Sequence, residues 1–312
     1  MLKIIKENIR NVEFWVNKMY GVTHMGKFHA DEVFASVILE LYFGTLYVIR
    51  SQDKDIPKEL PSNVIVYDIG MGEFDHHQYG GNGIRPNGVP YASCGLIWKK
   101  FGPAIIKKTG TPEPQLVWEW IDHELIQSVD ATDCGAMPKM VYPAKPFTVS
   151  TIIGNFNPTW DSDKDVDEAF LEACSFAKTV FNNALMHALA KAESKDIVDK
   201  AIDESSNHIM VLPEYVPWHD WFFNSQNKKT SDIWFVVYPS RRGGYNFQGI
   251  PTKPGEGDQR KAIPRNWRGV PKEQLRKITG VNDANFVHIA GHLGGAESFE
   301  GAMKMAKMLS SA

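Results

Sequence analysis

The sequence predicts an α/β protein with two domains, and three patterns support this. Strand-like segments at 19–24 and 46–50 flank a helical segment, and a stronger strand-like segment follows at 63–68. A helical stretch without Gly or Pro extends from about 165 to 205. Further strand-like segments follow it. Strands that alternate with helices are typical of a parallel sheet covered by helices.

The N-terminal elements are predicted from composition and from their borders. The three strand segments are rich in β-branched and aromatic residues and lie between turn-forming residues. The helix between the first two begins near Asp31 and ends at Gly44. Apolar residues at helical spacing predict two more helices, YASCGLIWKKFG and EPQLVWEWIDHELIQSVD.

The C-terminal part repeats the mixture of strands and helices on a smaller scale. Strands are predicted at HIMVLPEYV, IWFVVYPS, YNFQGIPT and FVHIAG, and a final helix at SFEGAMKMAKML. We therefore predict an N-terminal domain at 1–160, a helical connector at 161–205 and a smaller C-terminal α/β domain at 206–312.

Composition limits the class of protein. Hydrophobic residues make up 43% of the chain and charged residues 23%, as in ordinary globular proteins. No window approaches the roughly 18 apolar residues of a membrane span, so we expect no membrane partner. The three cysteines lie far apart, and the N-terminus has neither the apolar core of a signal peptide nor the acid-poor character of a transit peptide. We expect a cytoplasmic protein.

The charge of the chain is distributed unevenly. The segment from Arg241 to Lys277 contains ten basic and three acidic residues, although the whole chain carries a net charge of −3. Most charge clusters are only solvated surface. Next to a candidate metal site, however, a basic segment favours a phosphate-bearing substrate.

Metal-binding residue types concentrate at the ends of two predicted strands. His24 ends the first strand, and His29 and Asp31 follow it at the turn and helix start. Asp68 ends the third strand. Loops at strand ends are where open α/β sheets place their sites. Carboxylates and imidazoles together suit Mn²⁺ or a similar ion, and bridging carboxylates can hold two such ions.

Two more groups of residues extend this candidate site. Asp75, His76 and His77 stand side by side, seven residues after Asp68. On an extended chain, neighbouring histidines point in different directions, so one can bind metal while the other faces substrate. Asp130 and Asp133 lie three residues apart in SVDATDCG, and either could supply the last ligand.

These motifs resemble the DHH phosphoesterase superfamily and, more closely, the MYG (melanocyte proliferating gene) family. The resemblance rests on THMGKFHADE, YDIGMGEFDHHQ, YASCGLIWKKFG, VDATDCG and the C-terminal IPRNWRGV and FVHIAGHLGGAESFEGAMKMA, and extends from about Tyr20 to the C-terminus. It implies a DHH-type N-terminal sheet with two Mn²⁺ ions, or Mg²⁺ as the alternative. It also implies a C-terminal substrate-binding domain and 3′–5′ RNA exonuclease activity.

The resemblance also implies a role for each residue of the candidate site. His24 and His29 would bind the first metal, and Asp31 and His76 the second. Asp68 would bridge the two ions. For the fourth motif, the resemblance favours Asp133 over Asp130. His77 would contact the scissile phosphate. His29 stands where many superfamily members have Asp, which leaves the metal preference open.

Substrate-binding candidates lie in the C-terminal part. The GHLGG stretch resembles the family's glycine-rich substrate loop, and Gly294 and Gly295 before a helix would expose backbone N–H groups to an anion. His292 is a candidate phosphate contact, and His288 is either a contact or structural. Arg260, Arg265 and Arg268 would hold phosphates while Trp267 stacks on a base.

The sequence thus predicts a dinuclear-metal phosphodiesterase that degrades RNA or short oligonucleotides from one end. In such an enzyme a water molecule activated by the two metals is the nucleophile. Two alternatives stay open: a phosphatase that acts on a small phosphorylated molecule, and a catalytically silent nucleic-acid-binding protein.

Overall fold

The computed structural model describes residues 1–137, 144 and 146–311. The chain divides into two units, Met1–Ala192 and Glu193–Ala312. The division falls within the 161–205 segment that the sequence analysis assigns to a connector. Each unit combines a β-sheet with helices, and the predicted α/β class is confirmed. Among the residues described, no helix is both long and apolar enough to cross a membrane.

The first unit is built on a parallel sheet in the order β1-β3-β2-β4. Its strands are β1 (Leu2–Ile5), β2 (Tyr20–His24), β3 (Leu46–Ser51) and β4 (Val64–Val66). Its helices are α1 (Ala30–Phe43), α2 (Ser93–Lys107), α3 (Pro114–Ile121), α4 (Gln127–Asp133), α5 (Val149–Gly154) and α6 (Val166–Glu193). A π-helical turn, Asp122–Ile126, joins α3 to α4 where the sequence predicts one unbroken helix. The sequence analysis did not predict the first strand, β1.

Alternation along the strands places apolar residues on both faces of this sheet. Leu46 and Val48 of β3 pack into the main core with α1, α2 and α6, while Ile49 packs with Tyr20 and Val22 in a smaller cluster on the other face. A parallel sheet covered on both faces leaves its strand ends as the accessible part. The carboxyl ends of β2, β3 and β4 therefore form the edge at which a site can open.

The second unit has a mixed sheet in the order β5-β6-β7-β9-β8. Its strands are β5 (Ile209–Val211), β6 (Phe235–Pro239), β7 (Tyr245–Gly249), β8 (Ala284–Val287) and β9 (Leu293–Ala296). Its helices are α7 (Lys195–Asp203), α8 (His219–Asn224), α9 (Lys272–Thr279) and α10 (Phe299–Ser310). β5 and β6 are parallel and the other pairs antiparallel, and α10 packs with the core on one face.

One strand boundary in this unit differs from the sequence prediction. The predicted strand FVHIAG ends at Val287, because the chain turns through Gly291, which has a φ of 73°. The GHLGG stretch then enters β9 instead of forming a loop before a helix. This difference changes the interpretation of Gly294 and Gly295, which the sequence analysis placed before a helix.

Candidate metal centre

A cavity of about 1340 Å³ opens at the carboxyl edge of the first unit's sheet. It is lined by residues that end or follow β2, β3 and β4, as the parallel topology predicts. Its lining includes the candidates His24, His29, Asp68, His76, His77 and Asp133, together with Asp75 and Ser51. The structure thus brings together six candidates that are spread over more than a hundred residues of sequence.

The segment from the end of β2 to the start of α1 supplies the imidazoles of His24 and His29. It also supplies a carboxylate, Glu32, which the sequence analysis did not assign to the site. His24 Nε2 lies 2.9 Å from Glu32 Oε1, and Glu32 is completely buried. The Glu32 carboxylate also accepts a hydrogen bond from the backbone N–H of His29, which caps α1. A Glu three residues after a helix cap is the pattern of a capping box, so it could have been noticed in HADE.

Asp68 lies at the centre of the imidazoles. Its carboxylate oxygens are 3.4 Å from His24 Nε2 and 3.6 Å from both His76 Nδ1 and His77 Nδ1. The residue is buried and has a φ of 56°, in the left-handed region that L-residues other than Asn and Asp rarely adopt. This central position fits the bridging role implied by the family resemblance.

A tight loop returns the Asp-His-His triplet to Asp68. Tyr67 and Phe74 form an isolated bridge, and the Asp68 N–H donates to the Phe74 carbonyl at 2.9 Å. Asp75 accepts hydrogen bonds from the Met71 N–H at 2.7 Å and from the His77 N–H at 3.1 Å. Asp68 and Asp75 are therefore close in space, although seven positions separate them in the sequence, since the loop between them folds back.

Within the triplet, each side chain has a different environment. Asp75 is buried and pairs with His77 Nδ1 at 2.7 Å, so His77 Nε2 is free to face the cavity. Burial opposes the charge of Asp75, but the hydrogen bonds from His77 and Met71 outweigh it and lower its pKa. His77 has 54% of its side chain exposed, whereas His76 has 9%. The more exposed histidine is the one expected to contact substrate.

Asp31 connects the cluster to helix α2. Its two carboxylate oxygens accept from the backbone N–H groups of Ser93 at 2.9 Å and Cys94 at 2.6 Å, at the positive end of α2. One of these oxygens lies 3.6 Å from His76 Nδ1. The Ser93 hydroxyl donates to Asp68 at 3.3 Å. Ser93 is the first residue of α2, and its hydroxyl also positions Asp68.

The structure separates Asp133 from Asp130. Asp133 lines the cavity, and its Oδ2 lies 2.9 Å from His76 Nε2. Asp130 is completely buried behind the cavity, pairs with Arg85 at 2.7 Å and accepts from the Gly95 N–H at 2.9 Å. Of the two acids that the sequence left open, Asp133 is the one that lines the cavity, and its role as a ligand stays a prediction.

The electrostatics of the cluster fit a bound cation. Burial raises the pKa of Asp31, and repulsion from Asp68, Asp133 and Asp130 raises it further. Burial lowers the pKa of His24, but hydrogen bonds to Asp68 and Glu32 outweigh it and raise the pKa to about 10. Crowded carboxylates of this kind repel one another unless a positive charge lies between them.

The donor atoms also lie within reach of shared ions. Several groups of these side chains have donor atoms within 4.8 Å of one another: Asp68 with Asp75, His76 and His77; His24 with His29 and Glu32; and Asp31 with His76 and Asp133. Carboxylate oxygens and imidazole nitrogens are ligands for divalent ions such as Mn²⁺. The acidic and histidine groups of the first unit could therefore bind metal ions.

Two of the arginines predicted to bind substrate are engaged elsewhere. Arg260 donates to the backbone carbonyls of Thr230 and Ile233, the latter at 2.9 Å. Arg268 donates to the Ile263 carbonyl through Nε at 2.8 Å and Nη2 at 2.5 Å. Both guanidinium groups thus hold loop backbone with some of their N–H groups, and their predicted contact with phosphates stays a prediction.

The remaining candidates of this loop differ in accessibility. Arg265 is exposed. Trp267 is only 6% exposed and packs in the second unit's core, so its predicted role as an exposed stacking residue is wrong. His288 is exposed just beyond β8, and its ring centroid lies 4.7 Å from that of the half-buried His292. A phosphate contact through these histidines stays a prediction.

The two glycines lie within a strand. Gly294 and Gly295 belong to β9 and pair with β7 and β8, whereas α10 begins at Phe299 and is capped by Ser298. Their N–H groups therefore do not face an anion at a helix start, and this part of the prediction is wrong. An added Cβ would lie 2.4 Å from the Phe247 ring at Gly294 and 2.9 Å from the Phe286 ring at Gly295, so both positions need glycine for packing.

Comparison with known proteins adds an independent finding. The model of MYG1_exonuc, an uncharacterised protein family (UPF0160), matches residues 21–309. The MYG1 protein of Saccharomyces cerevisiae is 29% identical over 92% of this chain and 94% of its own length. The MYG1 protein of Schizosaccharomyces pombe is 29% identical over 91% and 95%, and the MYG1 exonuclease of Homo sapiens 28% over 91% and 84%. No solved structure matches this chain significantly.

Proposed function

We propose that this chain, which belongs to the MYG1_exonuc family (UPF0160), is a phosphodiesterase that depends on two divalent metal ions. We further propose that it removes nucleotides from the 3′ end of RNA or short oligonucleotides. Its human relative is named MYG1 exonuclease, which agrees with this class of reaction. A cytoplasmic location stays part of the prediction.

The convergence of imidazoles and carboxylates around Asp68 carries the proposal. His24 and His29 would hold one ion, Asp31, His76 and Asp133 the other, and Asp68 both. Glu32 orients His24 and completes this acidic environment. We expect Mn²⁺, because imidazole ligands favour it over Mg²⁺. When bound, two such ions lower the pKa of a water molecule and offset the charge of a phosphate.

His77 has a separate role from the ligands. Its exposed ring is oriented by Asp75, which leaves Nε2 directed away from that carboxylate. It would donate a hydrogen bond to the scissile phosphate. This additional oriented histidine speaks against a purely structural metal site.

The volume of the cavity, about 1340 Å³, exceeds the roughly 300–1,000 Å³ of ordinary small-molecule pockets. This volume favours an oligonucleotide over a small phosphate as the substrate.

The test is a cleavage assay with end-labelled RNA and DNA oligomers and with small phosphomonoesters, with Mn²⁺ or Mg²⁺ added. We expect a ladder shortened from the 3′ end, and no products when a chelator is present. Efficient release of phosphate from monoesters, with intact oligomers, would favour the phosphatase. Binding without any cleavage would favour the silent nucleic-acid-binding protein.

A matched pair of variants tests whether the cluster carries the activity. Asp68→Asn removes the central charge with little change in volume, and we expect it to abolish cleavage. Glu73→Gln removes a carboxylate from the same loop, but Glu73 is 66% exposed and pairs only with Lys100 among the described ion pairs. It should cleave like the wild type. Equal activities for these two variants would contradict the proposed site.

A further inference from the structure

A second cavity, of about 600 Å³, lies within the second unit. Its lining comes from β6, β7, β8 and β9, from the hairpin between β6 and β7, and from the segment between β5 and α8. The side chains are of three kinds: the rings of Tyr215, Tyr238, Tyr245 and Phe286, the guanidinium groups of Arg241 and Arg242, and the amides of Asn246 and Asn285.

The aromatic residues present open ring surface to this cavity. Tyr215 is 44% exposed and Phe286 38%. Tyr238 is buried beside them: its ring centroid lies 5.4 Å from that of Tyr215, and its hydroxyl donates to Gln248 at 2.8 Å. Gly295 lies opposite Phe286 in the sheet, and an added Cβ there would come within 2.9 Å of the Phe286 ring.

The two arginines of the hairpin, Arg241 and Arg242, are exposed. Within the described part of the chain, no carboxylate lies within 4.0 Å of either the Arg241 or the Arg242 guanidinium group. The Arg241 guanidinium lies 5.2 Å from the centroid of the Tyr215 ring. Arg260 and Arg268, by contrast, are bound to backbone carbonyls. The free cations of this basic segment therefore include the pair at the cavity.

We propose that this cavity binds single-stranded nucleic acid, with phosphates on Arg241 and Arg242 and a base stacked on Phe286 and Tyr215. The proposal rests on the proposed function and adds a substrate contact that lies outside the metal cluster. Stacking surfaces next to a basic strip are the combination by which proteins hold single strands of varied sequence. A volume of about 600 Å³ has room for one nucleotide rather than for a duplex.

The amides give the cavity polar contacts at its sheet side. Asn246 and Asn285 can each donate and accept hydrogen bonds, as the edges of bases require. Ring faces, amides and exposed guanidinium groups match the base and phosphate of a nucleotide. An acidic peptide would use the arginines but would leave the exposed rings without a function.

The first experiment measures binding of a short labelled single-stranded RNA to the full chain that carries Asp68→Asn, which blocks cleavage. Salt titrations compare Arg241→Ala/Arg242→Ala with Lys277→Ala/Lys307→Ala. The second pair removes equal charge from exposed positions of the same unit outside the cavity. We expect the arginine pair to lower the log–log salt slope by about 1.4, because each phosphate contact on a single strand contributes about 0.7. The lysine pair should leave the slope unchanged.

The second experiment tests stacking with Phe286→Leu, which keeps an apolar side chain but removes the ring. Affinity should fall about tenfold at every salt concentration, with an unchanged slope, because stacking releases no counterions. Ile289→Ala, which truncates an exposed apolar residue outside the cavity, is the control and should bind like the parent. Thermal melting of each variant checks that the fold is retained.

These measurements distinguish a failure of the cavity proposal from a failure of the proposed function. An unchanged slope in the arginine pair, or equal affinities for Phe286→Leu and Ile289→Ala, would overturn the cavity proposal. Cleavage of a minimal phosphodiester by the wild type is measured in parallel. If the wild type cleaves the minimal phosphodiester while neither cavity variant changes RNA binding, the cavity proposal fails and the proposed function stands. If RNA binding depends on the cavity but no phosphodiester is cleaved, the proposed function fails instead.

Discussion

Asp130 and Asp133 lie one turn apart on α4, yet they belong to two different charge clusters. Asp133 contacts His76 in the open cluster, which we define as His24, Asp31, Glu32, Asp68, His76 and Asp133. Asp130 contacts Arg85 in the closed cluster, which consists of Arg85, Asp122 and Asp130. One turn of helix separates an acid that lines the cavity from an acid that is paired with a buried arginine.

The two clusters differ in the kind of cation that they contain. Arg85 is permanently charged, is 4% exposed, and donates two hydrogen bonds to Asp122 at 2.8 and 2.9 Å. The cations of the open cluster are two imidazoles, His24 and His76, set against four carboxylates. The closed cluster thus contains a permanent counterion, whereas the open cluster has an excess of negative charge even when both of its imidazoles are protonated.

The closed cluster predicts the largest loss of stability. Arg85→Met leaves Asp122 and Asp130 buried without a cation, which should lower the free energy of unfolding by about 3–5 kcal/mol. Chemical denaturation measures this change. Lys100→Met is the control: it breaks the exposed pair between Lys100 and Glu73 and should change the free energy by at most about 1 kcal/mol. Similar losses in both variants would remove the distinction between the clusters.

Asp68→Ala should show the opposite balance, with a large loss of activity and a smaller loss of stability. Removal of the residue that contacts three imidazoles should reduce turnover by more than tenfold, even with saturating Mn²⁺, because both ions lose a ligand. The free energy of unfolding without metal should fall by less than that of Arg85→Met, since His24 keeps Glu32 as a partner. Activity above about a tenth of the wild-type value would rule out the bridging role.

His76 and His77 are expected to differ in metal content. His76→Ala should lose one ion per chain, because this ring lies between Asp31, Asp68 and Asp133. His77→Ala should retain both ions and lose turnover, since its ring is exposed and held by Asp75. Elemental analysis after gel filtration measures the ions. Equal metal loss in the two variants would show that the two roles are assigned wrongly.

The smallest expected effect concerns Asp75, a positioning residue. Asp75→Asn should weaken the orientation of His77 and reduce kcat by roughly 10- to 100-fold, the range for partners of functional histidines. Metal content should stay unchanged, and Asp75→Glu should restore part of the turnover. A merely structural role would instead lower the melting temperature and leave kcat per folded molecule at the wild-type value.

The sequence alone determined much of the first unit and its site. β-branched strands, a glycine-terminated helix and the order of elements are local properties, and they predicted the α/β class and helix α1. Candidate ligands could be found because acids and histidines directly after apolar strands must meet at one edge of a parallel sheet. Family resemblance then selected Asp133, and its position at the cavity agrees with that choice.

Only the tertiary structure decided which polar groups are free. Nothing local in the sequence shows that Arg260 and Arg268 donate to backbone carbonyls. Nor does it show that no carboxylate of the described residues pairs with Arg241 or Arg242. Likewise Trp267 looks like an exposed loop residue until the core that surrounds it is known. Sequence patterns report the type of a side chain and its local periodicity. Whether its hydrogen bonds and ring faces remain available depends on long-range packing, which the fold alone determines.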